Sequence, residues 1–192
     1  MSRIPVEKPL SRNRLQRKVN LYRRLGRTFG RRALGLSGRK AGKEIFLETQ
    51  RGPIRVLAYN LELPERLPLF INLHGGGFVM CGPEMDDRFL GRVAQEAKVK
   101  ILSVDYSLAP EAPFPRALEE CYEVARHARD HAEDLGIDPE RIAIGGHSAG
   151  GNLSAAVCLL DAERNQLALK ALILDYPPLD LHTDPYAKPR PR

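Results

Sequence analysis

From Lys43 onward, short β-rich runs alternate with longer helical ones, and nothing else in the sequence constrains the fold as tightly. The β-rich runs cover residues 44–49, 54–61, 69–73, 100–104, 141–145 and 171–175. Strands that alternate with helices build a largely parallel sheet covered by helices on its faces. The first two runs have no helix between them, and Gly52-Pro53 predicts that they form an antiparallel hairpin. The clearest helix is predicted over residues 115–135, where Leu118, Cys121, Tyr122, Ala125, Ala132 and Leu135 share one face. Pro115 suits its first turn and Gly136 its C-terminal cap. With 43% apolar residues, a chain of 192 residues can bury a substantial core as one α/β body.

The first 42 residues have a different character. Through Lys43 the chain holds 14 Lys or Arg against Glu7 alone, a balance of +13, so the remainder carries −7 although the whole chain is +6. The basic pI of 9.4 therefore describes this arm and not the body. Leu15, Val19, Tyr22, Leu25 and Phe29 recur at helical spacing among Arg14, Arg17, Lys18, Arg23, Arg24, Arg27 and Arg31, which predicts a basic amphipathic helix. Four roles suit such a helix: a lid packed over the domain, attachment to a membrane surface, binding of an acidic partner, or an organelle presequence. Gly35, Gly38 and Gly42 break the pattern and predict a flexible link near residues 35–42, dividing the chain into an arm over 1–42 and a body over 43–192.

Several classes are excluded by what the sequence lacks. No run of 18 apolar residues exists and the start has no secretory stretch, so the expectation is a cytoplasmic protein without a transmembrane segment. Cys81, Cys121 and Cys158 are odd in number and contain no CxxC pair, which argues against a disulfide framework and a zinc site alike. The basic residues of the body are not interleaved with aromatic stacking groups, so no specific nucleic-acid partner is expected.

Two segments carry chemistry. Gly146-His147-Ser148-Ala149-Gly150 is a G-x-S-x-G sequence placed between the 141–145 strand and a following helix. A serine at so sharp a turn exposes its Oγ, and glycines two residues to either side let strand and helix pass without Cβ clashes. Upstream, the 69–73 strand runs straight into His74-Gly75-Gly76-Gly77. Successive glycines let amides face inward, so Gly76, Gly77 and Ala149 can donate to the oxyanion of an acyl-transfer intermediate formed at Ser148. His74, Gly75, Gly146 and Gly150 support this geometry, His74 as a residue that orders the loop rather than one that carries a proton.

Three blocks now stand in order: His74–Phe78, Val104-Asp-Tyr-Ser-Leu-Ala-Pro-Glu111 with Phe114-Pro115, and Gly146-His-Ser-Ala-Gly-Gly-Asn-Leu153. Together they resemble the hormone-sensitive-lipase-like branch of the α/β-hydrolases, the branch of many bacterial esterases and acetyl esterases, over residues 44–180. The resemblance implies hydrolysis of carboxylic esters, commonly short-chain acyl esters of small molecules, without metal or organic cofactor. Two positions depart from it: Arg usually stands at Ser107, and Asp more often stands at His147. His147 adjoins Ser148, but neighbours at such an elbow point in different directions, so it is not the expected base.

The resemblance also implies an Asp or Glu and then a His, in loops after two further strands. After Ser148 this chain has one histidine, His182, with Asp161, Asp175, Asp180 and Asp184. The expectation is thus an incomplete α/β-hydrolase fold, truncated at its C-terminus, with impaired ester hydrolysis. A compact alternative lets Asp175 or Asp180 orient His182 toward Ser148, although a polar, proline-rich tail suits a surface histidine better. The 171–175 strand would then be an apolar edge open to self-association. The alternative function is a noncatalytic hydrolase remnant whose basic arm binds an acidic partner or membrane surface.

Overall fold

A computed structural model describes residues 11–33 and 41–183. The basic segment forms helix α1 (Arg12–Ala33), and the body follows as β1 (Lys43–Thr49), β2 (Gly52–Tyr59), β3 (Leu67–Leu73), α2 (Asp87–Ala97), β4 (Lys100–Val104), α3 (Arg116–Asp130), β5 (Ile137–His147), α4 (Ala149–Arg164) and β6 (Ala171–Asp175). A short 3-10 turn at Pro83–Met85 precedes α2. All six β-rich runs pair into one sheet, in the order β1-β2-β4-β3-β5-β6. β1 and β2 form the expected antiparallel hairpin, with Thr49 opposite Gly52, whose φ of 95° suits glycine. β2 runs antiparallel to β4, and β3 to β6 are mutually parallel.

Alternation along the strands divides the core. Val56, Leu69, Ile71, Leu73, Leu102 and Val104 face α3 and α4, joined by Cys121, Tyr122, Leu153 and Val157. Leu57, Tyr59 and Ile101 face the opposite way and pack with Leu90 and Ala94 of α2. Leu69, Ile71 and Leu73 of the central strand are at most 1% exposed, and each such burial stabilises the fold by about 1.5–3 kcal/mol. Crossovers on opposite sides place β4 and β5 on either flank of β3. The loops that leave β3 and β5 therefore diverge from one point at the carboxyl edge, where open α/β sheets form their binding crevices.

Some details differ from expectation: β2 ends at Tyr59 rather than residue 61, and β5 begins at Ile137, four residues before the expected start. α3 ends at Asp130, five residues before the predicted end, and Pro115 is its N-cap rather than part of the first turn. Residues 131–136 are turns closing at Gly136 (φ 61°), where the Leu135 carbonyl accepts from Lys100 Nζ (2.9 Å) and Ile137 joins β5. Gly42 is not in a loose link: its amide donates to Asp87 Oδ1 (2.9 Å), and a Cβ there would strike the Tyr59 ring. Gly35, Gly38, Asp184 and the proline-rich end lie outside the described residues, as do the side chains of Leu25 and Phe29. No helix among the described residues is long and apolar enough to cross a membrane.

Candidate active site

β5 delivers Ser148 to the carboxyl edge and α4 begins at the next residue. Ser148 adopts φ 52°, ψ −119°, a strained conformation for a residue with a Cβ. Two main-chain bonds hold it there: its N–H donates to the Asp175 carbonyl (2.9 Å), and its carbonyl accepts from Asn152 N–H (3.1 Å). The flanking glycines are required by contact. A Cβ on Gly146 would run into the Leu73 carbonyl and lie 2.9 Å from the Gly150 carbonyl carbon. One on Gly150 would overlap the same Leu73 carbonyl and lie 2.7 Å from the His74 oxygen. The elbow is thereby pressed against the end of β3, where Leu73 pairs with Gly146.

That contact places the glycine turn beside Ser148. Gly76 (φ 127°) and Gly77 (φ 60°) take conformations that L side chains rarely adopt, and the Gly76 carbonyl accepts from both Val79 and Met80. The amides of Gly76 and Gly77 donate to no other group among the described residues. Ala149 opens α4, so its N–H has no intrahelical acceptor, and the first turn of α4 contains no acidic residue to offset its positive end. Ser148 itself is half-buried, directly before the open N-terminus of α4.

His74 is fully buried and stacks on Tyr106 at 4.2 Å with 8° between the planes. Its Nδ1–H donates to the Gly75 carbonyl (2.7 Å), and its own carbonyl accepts from the Tyr106 hydroxyl (2.6 Å). Burial lowers its affinity for a proton, which keeps the ring neutral, with Nε2 buried and without a partner among the described residues. Tyr106 in turn is pushed above the ordinary tyrosine range by burial, so it remains a hydroxyl donor.

His147 turns away from Ser148. Its Nε2 accepts from Gly75 N–H (3.2 Å), and its Nδ1 lies 3.7 Å from Asp86 Oδ2. At the other position of departure, Ser107 donates from N and Oγ to the buried Glu120, and Arg116 supplies Glu120 with its guanidinium. That carboxylate therefore has a cation although position 107 does not provide one.

Sequence reasoning missed the long-range supports. Arg23 of α1 donates from Nε to the Val79 carbonyl (2.7 Å) and from Nη2 to the Ala109 carbonyl (3.0 Å), and pairs with Glu111 at 2.6 Å. It therefore joins the arm to the segment following the glycine turn. Glu111 sits in the second sequence block, but Arg23 is one of many arginines in a basic helix and carried no local signal. Asp86, Asn72 and Ser103, which buttress His147, were equally unmarked.

His182 is exposed, and the carboxylate of Asp180 accepts the main-chain amides of His182 and Thr183 (3.0 and 2.9 Å). Asp175 meets the elbow through its main-chain carbonyl. Among the described residues no imidazole hydrogen-bonds the Ser148 hydroxyl. β6 is an edge strand on which Leu172, Ile173 and Leu174 are all exposed.

A family description of the α/β-hydrolase fold matches residues 70–191. Hormone-sensitive lipase of Mus musculus is 44% identical over 116 residues, which are 60% of this chain and 15% of the lipase. Arylesterase of Saccharolobus solfataricus is 38% identical over 136 residues, 71% of this chain and 44% of that enzyme. Among solved structures, an esterase of Pyrobaculum calidifontis is similar with a TM-score of 0.78 at 34% identity, over 87% of this chain and 55% of that one. The chain thus spans about half the length of the solved esterase and a smaller share of the two sequence relatives. Because the family match covers well over half of the chain, and the strand order sets a strained serine at the carboxyl edge, the chain belongs to the α/β-hydrolase fold family, in its hormone-sensitive-lipase-like branch.

Proposed function

We propose that this chain carries the nucleophile and oxyanion half of a carboxylic ester hydrolase acting on small-molecule, short-chain acyl esters. The observation that supports this most directly is the strained Ser148 directly before the N-terminus of α4, with the elbow pressed against the end of β3 from which the glycine turn leaves. Ser148 Oγ attacks the ester carbonyl carbon, its proton passes to a base, and the carbonyl electron pair moves onto oxygen. The Gly76, Gly77 and Ala149 amides then receive the oxyanion, and removal of one such donor from a water-excluded site costs about 10²–10³-fold in rate. Collapse expels the alcohol and leaves an acyl-Ser148 ester that water hydrolyses. Names among the relatives, arylesterase and esterase, support the ester class.

No described imidazole bonds Ser148, so a base must be brought to it for full turnover. Without one, only the weak catalysis of the oxyanion donors and binding is expected. The free thiols of Cys81, Cys121 and Cys158 support a reducing, cytoplasmic setting, and the exposed apolar edge of β6 supports self-association. The test is labelling by a fluorophosphonate ester, with p-nitrophenyl acetate hydrolysis on the same sample. Labelling and any turnover should disappear in Ser148→Ala, and labelling that survives this substitution sinks the assignment.

A further inference from the structure

We propose that His147 is a positioning residue for the glycine turn: its neutral Nε2 holds the Gly75 amide, and with it the neighbouring Gly76 and Gly77, and proton uptake at that nitrogen releases the turn. The consequence for catalysis rests on reading Gly76 and Gly77 as oxyanion donors; the hydrogen bond itself does not.

The geometry leaves His147 one role on each nitrogen. An amide N–H can only donate, so Nε2, 3.2 Å from Gly75 N, must present its lone pair and the ring proton must sit on Nδ1. Nδ1 faces Asp86 Oδ2 at 3.7 Å, beyond direct hydrogen-bond range but well within Coulombic reach. Asp86 is itself held by Asn72 Nδ2 (3.1 Å), which also reaches Ser103 Oγ (3.0 Å). A chain of contacts therefore runs from β4 through β3 and the start of α2 to β5 and into the turn. Glycine at 75 is part of the fit, because a Cβ there would lie 2.5 Å from His147 Nε2 and 2.7 Å from its Cδ2.

The charges around the ring decide which interaction yields. Asp86 and His147 are each 15% exposed, and the ring packs at 5.8 Å against Tyr176. Asp175 is opposite His147 in the β5–β6 register, and His74, on the far side of Gly75, is neutral. Asp86 Oδ2 is the carboxylate oxygen that faces the ring, from the start of α2. A proton on Nε2, however, would set two donors, Nε2–H and Gly75 N–H, against each other. The turn's hydrogen bond is therefore the contact that breaks. Neither nitrogen is left to serve Ser148 as a base.

The full chain, labelled with ¹⁵N at histidine and glycine, tests this by two-bond ¹H–¹⁵N spectra of His147 and by exchange protection of the Gly75 amide. Histidine charge changes between about pH 8 and about pH 5. At the upper end the Nδ1–H tautomer is expected, and Gly75 protection should fall about tenfold as His147 gains its proton, the loss of one hydrogen bond. His147→Gln, whose Oε1 can replace Nε2 as a non-titrating acceptor, should retain the protection across the range. His147→Phe should lack it throughout. An Nε2–H tautomer at high pH, or Gly75 protection indifferent to pH in the native chain, overturns the proposal, and neither result depends on a variant folding. Fluorophosphonate labelling measured alongside separates the two readings. Labelling that survives Ser148→Ala beside a titrating Gly75 removes the hydrolase assignment alone, whereas a Ser148-dependent label with an unresponsive Gly75 removes the His147 assignment alone.

Discussion

Replacing Arg23 by Met should detach α1 from the body far more than replacing its partner Glu111 by Gln. Arg23 makes two kinds of contact. Its ion pair with Glu111 holds that carboxyl at about 2 instead of 4.5, chiefly through the hydrogen bond from Arg23. Taken at face value the shift corresponds to about 3 kcal/mol, but the Glu111 side chain is 49% exposed, so solvent screening reduces it to about 1 kcal/mol. The bonds to the Val79 and Ala109 carbonyls have a charged donor in a partly buried setting and contribute about 1.5 kcal/mol each. Arg23→Met therefore loses about 4 kcal/mol of docking, close to 10³-fold in opening, and Glu111→Gln about 1 kcal/mol, close to fivefold. Hydrogen exchange of α1 amides, backed by tryptic cleavage within α1, reads the opening. Glu111 also sets a pH signature. A depressed carboxyl stabilises above its ordinary value and loses that contribution as pH falls from about 4.5 toward 2, so acid should loosen α1 in the native chain and not in Glu111→Gln. Equal α1 exchange in the native chain and Arg23→Met would refute the reasoning.

Two further outcomes follow from contacts at the site and the sheet edge. Gly150→Ala should lower the thermal midpoint by about 5–10 °C, because its Cβ meets main-chain atoms of Leu73 and His74 that cannot move aside. Gly77→Ala, in open space and strained only by its φ of 60°, should cost about 1–2 kcal/mol, and an equal loss at both sites in calorimetry would contradict the contact argument. Leu172→Lys with Leu174→Lys should shift sedimentation toward monomer without changing circular dichroism, whereas oligomers that persist would clear β6 of the role.

Much of the fold was legible because its signals are local. Short β-rich runs marked all six strands, although not the full length of β5, and Gly52-Pro53 the hairpin, since strand and turn preferences depend on adjacent residues. The elbow was legible for the same reason: glycines two residues from Ser148 record a close approach that no side chain survives. The end of α3 was not legible, because the turns that follow it close on the side chain of Lys100, 35 residues away from Leu135, and lead straight into β5. Gly42 read as a link because Asp87, which pins it, belongs to another layer.

The sequence by itself determined the α/β class, the strand list, the strained serine position and the glycine turn, all of which rest on backbone preferences within a few residues. Only the tertiary structure decided what those pieces meet. It turned His147 toward Gly75 and Asp86, seated Arg23 against Val79, Ala109 and Glu111, and left β6 with its apolar side chains in solvent. The reason is that a side chain's partner depends on crossovers that bring distant segments together, and no window of neighbouring residues records which segment arrives.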